Sequence, residues 1–366
     1  FGTISCSDFL DLAPINKITE NDIFGSEAGI EAYMATLYNR LPIEDFNYGS
    51  ESGFNNWVGG CFVPALSCDE AIHCEFPHEI FGPATENNAW NQWWTYDNVR
   101  NVNQLIQELK ESTLFAPEKQ EELLGEAYAI RAWYYFGMAK RYGGVPIITT
   151  PDYDYTKVKR GTFGEWARQI LADCQAAIDI PTVEEWGWRS LDKENYRHVM
   201  TKAICAAIRS QISLYAASPL YNDGTITWTE AAEITKKSLD DCLANNYELY
   251  KKQPNATAGY SPYDVYFYSR TDLPVVNDKE TIMEVGQMYM WNYAGLPTTD
   301  GQTDAGACPS QELLDAYEVV NGDMTESYPL LNLESPYLDA NHLQPNLNSA
   351  VQGLYNQAKP YAVSYT

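Results

Sequence analysis

The stretch that decides the fold reads GEAYAIRAWYYFGMAKRYGGVPII, from Gly125 to Ile148. Apolar residues recur every three or four positions through most of it, which predicts one face of a long buried helix. A pair of glycines, Gly143 and Gly144, then ends the helix, because glycine reaches the backbone conformations that close one. The apolar segment from Val145 continues as extended chain. The sequence therefore predicts a central helix in a mainly helical body.

Helical patterns also flank this stretch. Ser26 is placed to cap a helix that stops at Pro42, and Thr162 begins a Thr-x-x-Glu capping box for another. Apolar periodicity predicts further helices over about 88–110, 118–141, 200–217 and 229–244.

One short motif occurs twice. Ala-Ile-Arg at 129–131 recurs at 207–209, each time in an Ala-rich helix that contains tyrosine. Paired helices with such echoes are typical of tetratricopeptide-like arrays. After residue 250 the composition shifts to Tyr, Pro, Asn and Gly, with one strand-like run, TIMEVGQ at 281–287. We therefore predict helix pairs over most of the chain and a loop-rich region after them.

Composition and charge narrow the possible partners. The chain has 366 residues, of which 45% are hydrophobic, and a formal net charge of −26. That content suffices for a sizeable core. The negative charge repels phosphate, so we expect no nucleic-acid partner and no electrostatic docking on an anionic membrane. No run of about 18 apolar residues is present to span a bilayer.

Several segments resemble the SusD/RagB family and keep their order along the chain. They include CSDFLDLAP from Cys6, SCDEA from Ser67 and the helical W-x-x-Y-x-x-V-x-x-x-N from Trp93. The most specific match is GEAYAIRAWYYF from Gly125 with RYGGVP from Arg141, and NDKETI and PSQELLDAY follow. The resemblance covers residues 6–322.

This resemblance implies a mainly α SusD-like fold of tetratricopeptide-like helix pairs with ligand-binding loops. It also implies a non-catalytic lipoprotein on the outer face of the outer membrane. Such a protein binds oligosaccharide or polysaccharide and passes it to a SusC-like, TonB-dependent transporter. Cys6 would carry the lipid anchor. The helical C-terminal portion of the family is not recognisable here, so we expect that part of the fold to be missing.

The sequence favours three regions. Residues 1–20 are predicted to be a lipid-anchor tether and N-terminal segment, and residues 21–250 a helical, tetratricopeptide-like body. Residues 251–366 are predicted to be a loop-rich ligand-binding region with an incomplete C-terminus.

Two loops combine aromatic and amide side chains. The chain has 10 Trp, 27 Tyr and 12 Phe, and most of these rings belong in the core. A ring on a loop can instead stack on the C–H face of a sugar. We predict that such loops bind glycan through six residues: Asn55, Asn56 and Trp57 in the first, and Tyr289, Trp291 and Tyr293 in the second. The sequence does not indicate which glycan is bound.

Two other classes of protein stay open. A glycoside hydrolase would need two carboxyl groups facing each other across the scissile bond, and no spacing among 50 acidic residues singles out a pair. A protein-scaffolding helical repeat or adhesin would use a helical groove rather than tryptophan-bearing loops. We expect no catalytic residue and no cofactor.

The cysteines and the acidic loops indicate a function less clearly than the aromatic loops do. Cys174, Cys205 and Cys242 lie in helical apolar patterns and are predicted to be buried free thiols. The cluster of Cys61, Cys68 and Cys74 fits independent thiols, a disulfide or, least well, a metal site, because its spacing matches no zinc motif. The Asp-Tyr-Asp run at 152–154 offers too few ligands for a calcium loop, and no metal site is predicted.

Overall fold

The computed structural model of the protein describes residues 19–42, 71–73, 94–180, 199–251, 262, 266, 278–283, 307–320 and 326–351. In chain order the elements are α1 (Glu20–Phe24), α2 (Glu27–Asn39), β1 (Ala71–His73), α3 (Tyr96–Glu111), α4 (Pro117–Tyr142), α5 (Phe163–Asp179), α6 (Lys202–Ala217), α7 (Trp228–Ala244), β2 (Ala307–Pro309), α8 (Gln311–Asp315), β3 (Glu318–Val320) and β4 (Ser327–Pro329). A 3₁₀ turn spans Ser349–Val351.

The chain divides into two compact units. The first is Phe1–Pro42 with Gln92–Gln287, and the second is Ile43–Asn91 with Met288–Thr366. The division into tether, helical body and loop region stays a prediction.

Consecutive helices of the first unit pack on one another from α3 to α7, and α4 also contacts α6. This neighbour-on-neighbour packing is that of a helical repeat array. The central α4 buries both small and large side chains, among them Ala127, Ile130, Tyr134 and Tyr135. The predicted mainly helical fold is confirmed.

Helix starts follow the predicted caps. The Ser26 hydroxyl accepts from the backbone N–H of Gly29 at 3.1 Å, and α2 begins at the next residue. In α5 the Thr162 hydroxyl accepts from the N–H of Glu165 at 3.2 Å, while the Glu165 carboxylate accepts from the N–H of Thr162 at 2.9 Å. This capping box satisfies two backbone donors that the helix leaves unpaired.

The start of α3 differs from its prediction. The periodicity favoured a helix from about residue 88, but Trp94 and Thr95 are not helical and α3 begins at Tyr96. The Trp94 ring packs edge-on against Tyr142, with centroids 5.2 Å apart, which holds this part of the chain against α4 rather than in line with α3.

The strand predicted over 281–287 is wrong for residues 281–283, which form no strand. The Asp278 carboxylate accepts from the N–H groups of Glu280, at 3.1 Å, and Thr281, at 3.0 Å. A side-chain turn thus takes the donors that a strand ladder would need. Residues 284–287 lie outside the described residues.

In the second unit, short strands form two pairs, and only the first pair joins distant parts of the chain. β1 pairs with β2 in antiparallel register, with Ile72 opposite Cys308, and β3 pairs with β4. A small core lies beside β3 and β4, formed by Val319, Leu330, Leu331 and Val351.

The thiols of the helical unit match their prediction in part. Cys174 and Cys205 are free and buried, while Cys242 is free but only half-buried. Burial raises the pKa of the Cys174 thiol well above its ordinary value, so this sulfur is protonated and unreactive. Cys61, Cys68 and Cys74 lie outside the described residues.

Candidate functional site

The predicted glycan-binding residues lie outside the described residues. Asn55, Asn56 and Trp57 belong to the chain range Ile43–Asn91 of the second unit. Tyr289, Trp291 and Tyr293 belong to its other range, Met288–Thr366. The proposed lipidation site, Cys6, is also outside the described residues. Their roles stay predictions.

A buried charge pair anchors the helical frame. Arg131 on α4 donates to both carboxylate oxygens of Asp173 on α5, at 2.9 and 2.6 Å. Its third nitrogen donates to the side-chain oxygen of Asn103 on α3 at 2.9 Å. Gln169 also donates to Asp173, at 3.1 Å. Three helices are therefore joined through one guanidinium.

The same cluster of hydrogen-bonded side chains around Arg131 also holds the extended segment that follows α4. Asn103 donates to the carbonyls of Ile148, at 3.0 Å, and Thr150, at 3.3 Å. The Tyr135 hydroxyl donates to the Ile148 carbonyl at 2.6 Å and accepts from the Ile148 N–H at 2.7 Å. These buried bonds give the segment a fixed backbone without a sheet. The loop that follows therefore starts from a rigid base.

That loop forms an open groove against α3. The groove has a volume of about 640 Å³ and is lined by Arg100 and by Pro151, Asp152, Tyr153, Asp154 and Tyr155. Its volume falls within the range of about 300–1,000 Å³ that is usual for small-ligand sites. Tyr155 is 79% exposed, Tyr153 is half-buried, and Arg100 and Asp152 are exposed. We call these six residues the tyrosine groove.

Local hydrogen bonds shape the tyrosine groove. The Thr150 hydroxyl donates to the Asp152 carbonyl at 3.1 Å. One oxygen of Asp154 accepts from the N–H of Thr156 at 3.0 Å, and the other pairs with Lys157 at 2.9 Å. Asp154 therefore stabilises the turn, while the Tyr155 ring stays open to water.

More aromatic rings lie near the start of α3. Trp94 is exposed and contacts Tyr96, with ring centroids 5.0 Å apart. Tyr96 lies one helical turn before Arg100 and so shares its face of α3. The Tyr96 hydroxyl donates to the Pro146 carbonyl. Burial raises the pKa of this hydroxyl well above its ordinary value, and the neighbouring Tyr153 adds to the rise. The Tyr96 hydroxyl therefore stays protonated and serves as a donor.

A second cavity, of about 410 Å³, lies along α6 and α7. Its walls are largely carbon, from residues such as Ala206, Ala207, Leu239 and Leu243. Such a surface suits an apolar neighbour better than a sugar. Among the residues that the structure describes, no group of His, Cys, Asp or Glu is arranged to hold a metal ion.

The sequence interpretation did not identify the tyrosine groove. The signal is the alternation Pro-Asp-Tyr-Asp-Tyr at 151–155, directly after the apolar segment that the helices fix. Arg100 lies far from this run in sequence, so the periodicity of α3 did not connect the two.

The fold defines the class of the protein: it contains a helical repeat, in which α3 to α7 each pack on the next. The chain belongs to the SusD-like family, whose sequence profile, described as "Starch-binding associating with outer membrane", matches residues 8–214, more than half of the chain.

One curated relative is similar in sequence, and two solved structures are similar in fold. The chain is 23% identical, over 216 residues, to "SusD-like protein P38" of Formosa agariphila, covering 58% of this chain and 39% of that protein. A crystal structure of a SusD-like protein from Bacteroides fragilis superposes with a TM-score of 0.61 at 20% identity, covering 88% of this chain and 59% of the other. "Surface glycan-binding protein A" from Bacteroides uniformis gives a TM-score of 0.55 at 16% identity, covering 83% and 66%.

The chain spans only part of the length of these proteins: 39% of the Formosa agariphila protein and 59% of the B. fragilis protein. The SusD-like fold and the family predicted from the sequence are confirmed.

Proposed function

We propose that the protein binds oligosaccharide or polysaccharide at the outer face of the outer membrane and passes it to a SusC-like, TonB-dependent transporter. The observation that carries the proposal is the family match over residues 8–214. In this function no covalent bond of the glycan is broken, so the protein is a binder and not an enzyme.

The chemistry of capture rests on ring stacking. Trp57 and Trp291 each offer an indole face on which the C–H face of a pyranose can stack, which buries apolar area while the hydroxyls stay available. Asn55 and Asn56 provide amides that can bond adjacent hydroxyls. Tyr289 and Tyr293 add further rings and hydroxyls. A stacked ring contributes about 1 kcal/mol, so several weak contacts hold a chain that can still be released.

The pairing of β1 with β2 joins the two chain ranges in which the predicted loops occur. β1 belongs to the chain range that carries Trp57, and β2 belongs to the range that carries Trp291. An antiparallel ladder with Ala71 opposite Pro309 joins these two ranges within the second unit.

Attachment to the membrane is proposed to be through lipid on Cys6. No helix in the described part of the chain is both long and apolar enough to cross a bilayer. A lipidated cysteine would hold the protein at the surface through acyl chains. Replacing Cys6 with Ser in the complete precursor should release the protein from washed outer membranes, and continued membrane retention would contradict the anchor.

Calorimetric titration tests the binding site. The probes are neutral hexasaccharides of α-1,4-glucan, β-1,4-glucan, β-1,4-mannan and β-1,4-xylan. We expect Trp57→Ala and Trp291→Ala each to weaken binding about five-fold or more, from the loss of one stacked ring. Trp228→Ala is the matched control, because Trp228 is 54% exposed on α7 and outside both loops.

Three outcomes would overturn parts of the proposal. Wild-type affinity in both loop variants would place the site elsewhere. Release of reducing sugar from any probe would identify a hydrolase instead. Capture of a SusC-like transporter from solubilised outer membranes by the wild-type chain tests the partner, and failure in the presence of bound glycan would count against delivery.

A further inference from the structure

We infer that the tyrosine groove is a second carbohydrate-binding site, which takes neutral sugar units. It lies on the helical unit, in Gln92–Gln287, whereas the predicted tryptophan loops belong to the second unit. The inference rests on the proposed function for the class of ligand, and it adds a site that does not involve Trp57 or Trp291.

The exposed ring is the first argument. Tyr155 is 79% exposed although its loop backbone is held by hydrogen bonds on both sides. An aromatic ring that is exposed at a fixed position costs little ordering free energy on binding, because its backbone is already fixed. Tyr153 is two positions away and half-buried, so it provides a second ring in the groove.

The polar groups are the second argument. Arg100 presents a planar set of N–H donors, and the carboxylate of Asp152 offers acceptors to hydroxyl groups. A donor and an acceptor that flank aromatic rings match a sugar, which has an apolar C–H face and a polar edge. The groove is shallow and open, so a chain of sugar units can lie across it.

The charges around the groove fit a neutral sugar, because they nearly cancel. Two carboxylates, Asp152 and Asp154, line the groove with the single guanidinium of Arg100. The ammonium of Lys157 is paired with Asp154 at 2.9 Å. With Lys157 counted, two carboxylates are matched by two cations, so the groove has no net positive charge with which to attract sulfate or uronate groups.

The frame behind the groove is rigid. Asn103 bonds the carbonyls of Ile148 and Thr150 immediately before the loop, and Arg131 fixes Asn103. A sugar platform needs this kind of preorganised support, because a loose ring loses stacking energy to its own motion. The buried hydrogen bonds of Arg131 therefore support the groove as well as the helices.

The test uses the full chain and the same four neutral hexasaccharides as probes. Titration is combined with hydroxyl-radical footprinting read by mass spectrometry. For the hexasaccharide that binds, we expect protection of Tyr153 and Tyr155. In a Trp57→Ala/Trp291→Ala background, we expect Tyr155→Ala to weaken the remaining affinity about five-fold and Arg100→Ala about ten-fold.

The control is Tyr317→Ala, an exposed tyrosine of the second unit that does not line the groove. Thermal melting checks that each variant is folded. If the wild type binds a hexasaccharide but Tyr155 is unprotected and Tyr155→Ala binds like its background, the groove is not a sugar site and the proposed function still stands. If the wild type binds none of the probes, both fail. Binding of Ca²⁺ in the groove, with no sugar protection, would also overturn the inference.

Discussion

Arg131 and Asp173 form a two-point ion pair in the interface between α4 and α5, with nitrogen–oxygen distances of 2.9 and 2.6 Å. Both side chains are almost completely buried. Because Arg131 also donates to Asn103, the pair fixes three helices and, through Asn103, the extended segment before the tyrosine groove.

Replacing Asp173 with alanine should strongly destabilise the protein. Asp173→Ala would leave the guanidinium of Arg131 buried without its counter-ion, which typically costs about 3–5 kcal/mol. The measurement is the free energy of unfolding from urea denaturation at pH 7.

An exposed ion pair provides the control for this prediction. Lys236 and Asp240 lie 2.5 Å apart on the outer face of α7, where both are solvated. Lys236→Ala should leave the free energy of unfolding unchanged within error, because exposed pairs contribute little. A loss of the same size in Asp173→Ala and Lys236→Ala would show that burial is not the cause.

The second Ala-Ile-Arg motif should show a weaker version of the same effect. Arg209 donates to Ser238 at 2.8 Å and pairs with Asp241 at 2.5 Å, and so joins α6 to α7. The Asp241 side chain is 26% exposed, whereas that of Asp173 is 3% exposed. Water can therefore replace part of the lost contact, and we expect Asp241→Ala to cost about 1–2 kcal/mol. A larger loss of stability in Asp241→Ala than in Asp173→Ala would contradict this prediction.

Much of the helical frame could be predicted from sequence because its signals are local. Ser26 and Thr162 cap their helices through atoms only three residues away. The repeated Ala-Ile-Arg also has a physical meaning: Arg131 and Arg209 each hold their own helix to the next one. The sequence could show that the motif is repeated, but not which acid pairs with each arginine, since Asp173 and Asp241 are two among 50 acidic residues.

Other features depend on contacts that no local pattern encodes. The pairing of Ile72 with Cys308 joins residues far apart in sequence. The apolar run from Thr281 is typical of a strand, but the Asp278 carboxylate accepts from its first backbone N–H. The tyrosine groove likewise needs Arg100 from another element. The predicted loops with Trp57 and Trp291 stay a prediction, made from composition and family resemblance.

Gly164 should not tolerate a side chain. A Cβ at this position would overlap the Asp223 carboxylate and the Thr225 side chain. The Gly164 N–H also donates to Asp223 at 3.1 Å, which ties the start of α5 to the loop before α7. Alanine normally favours a helix, but here we expect Gly164→Ala to lower the free energy of unfolding by about 1–3 kcal/mol through overpacking. If Gly164→Ala is instead more stable than the wild type in urea, the loop that carries Asp223 and Thr225 can move aside without loss of stability.

The stability of the protein should fall as pH rises through neutrality because of Glu126. Burial raises the pKa of this carboxyl from 4.5 to about 7, although the hydrogen bond from the Tyr38 hydroxyl acts in the opposite direction. Between these two values the folded state binds more protons than the unfolded state, so folding loses stability as pH increases. The contribution is fully present below pH 4.5 and is lost above about pH 7, a change of about 3 kcal/mol.

Glu126→Gln isolates this effect, since glutamine does not titrate but can still accept the hydrogen bond from Tyr38. We expect the free energy of unfolding of this variant to exceed that of the wild type increasingly from pH 5 to pH 8, as measured in urea at fixed salt. Glu121→Gln, an exposed carboxylate on the same helix, is the matched control and should follow the wild-type curve. Because a general charge effect would move both variants alike, parallel curves for all three proteins would rule out a buried proton on Glu126.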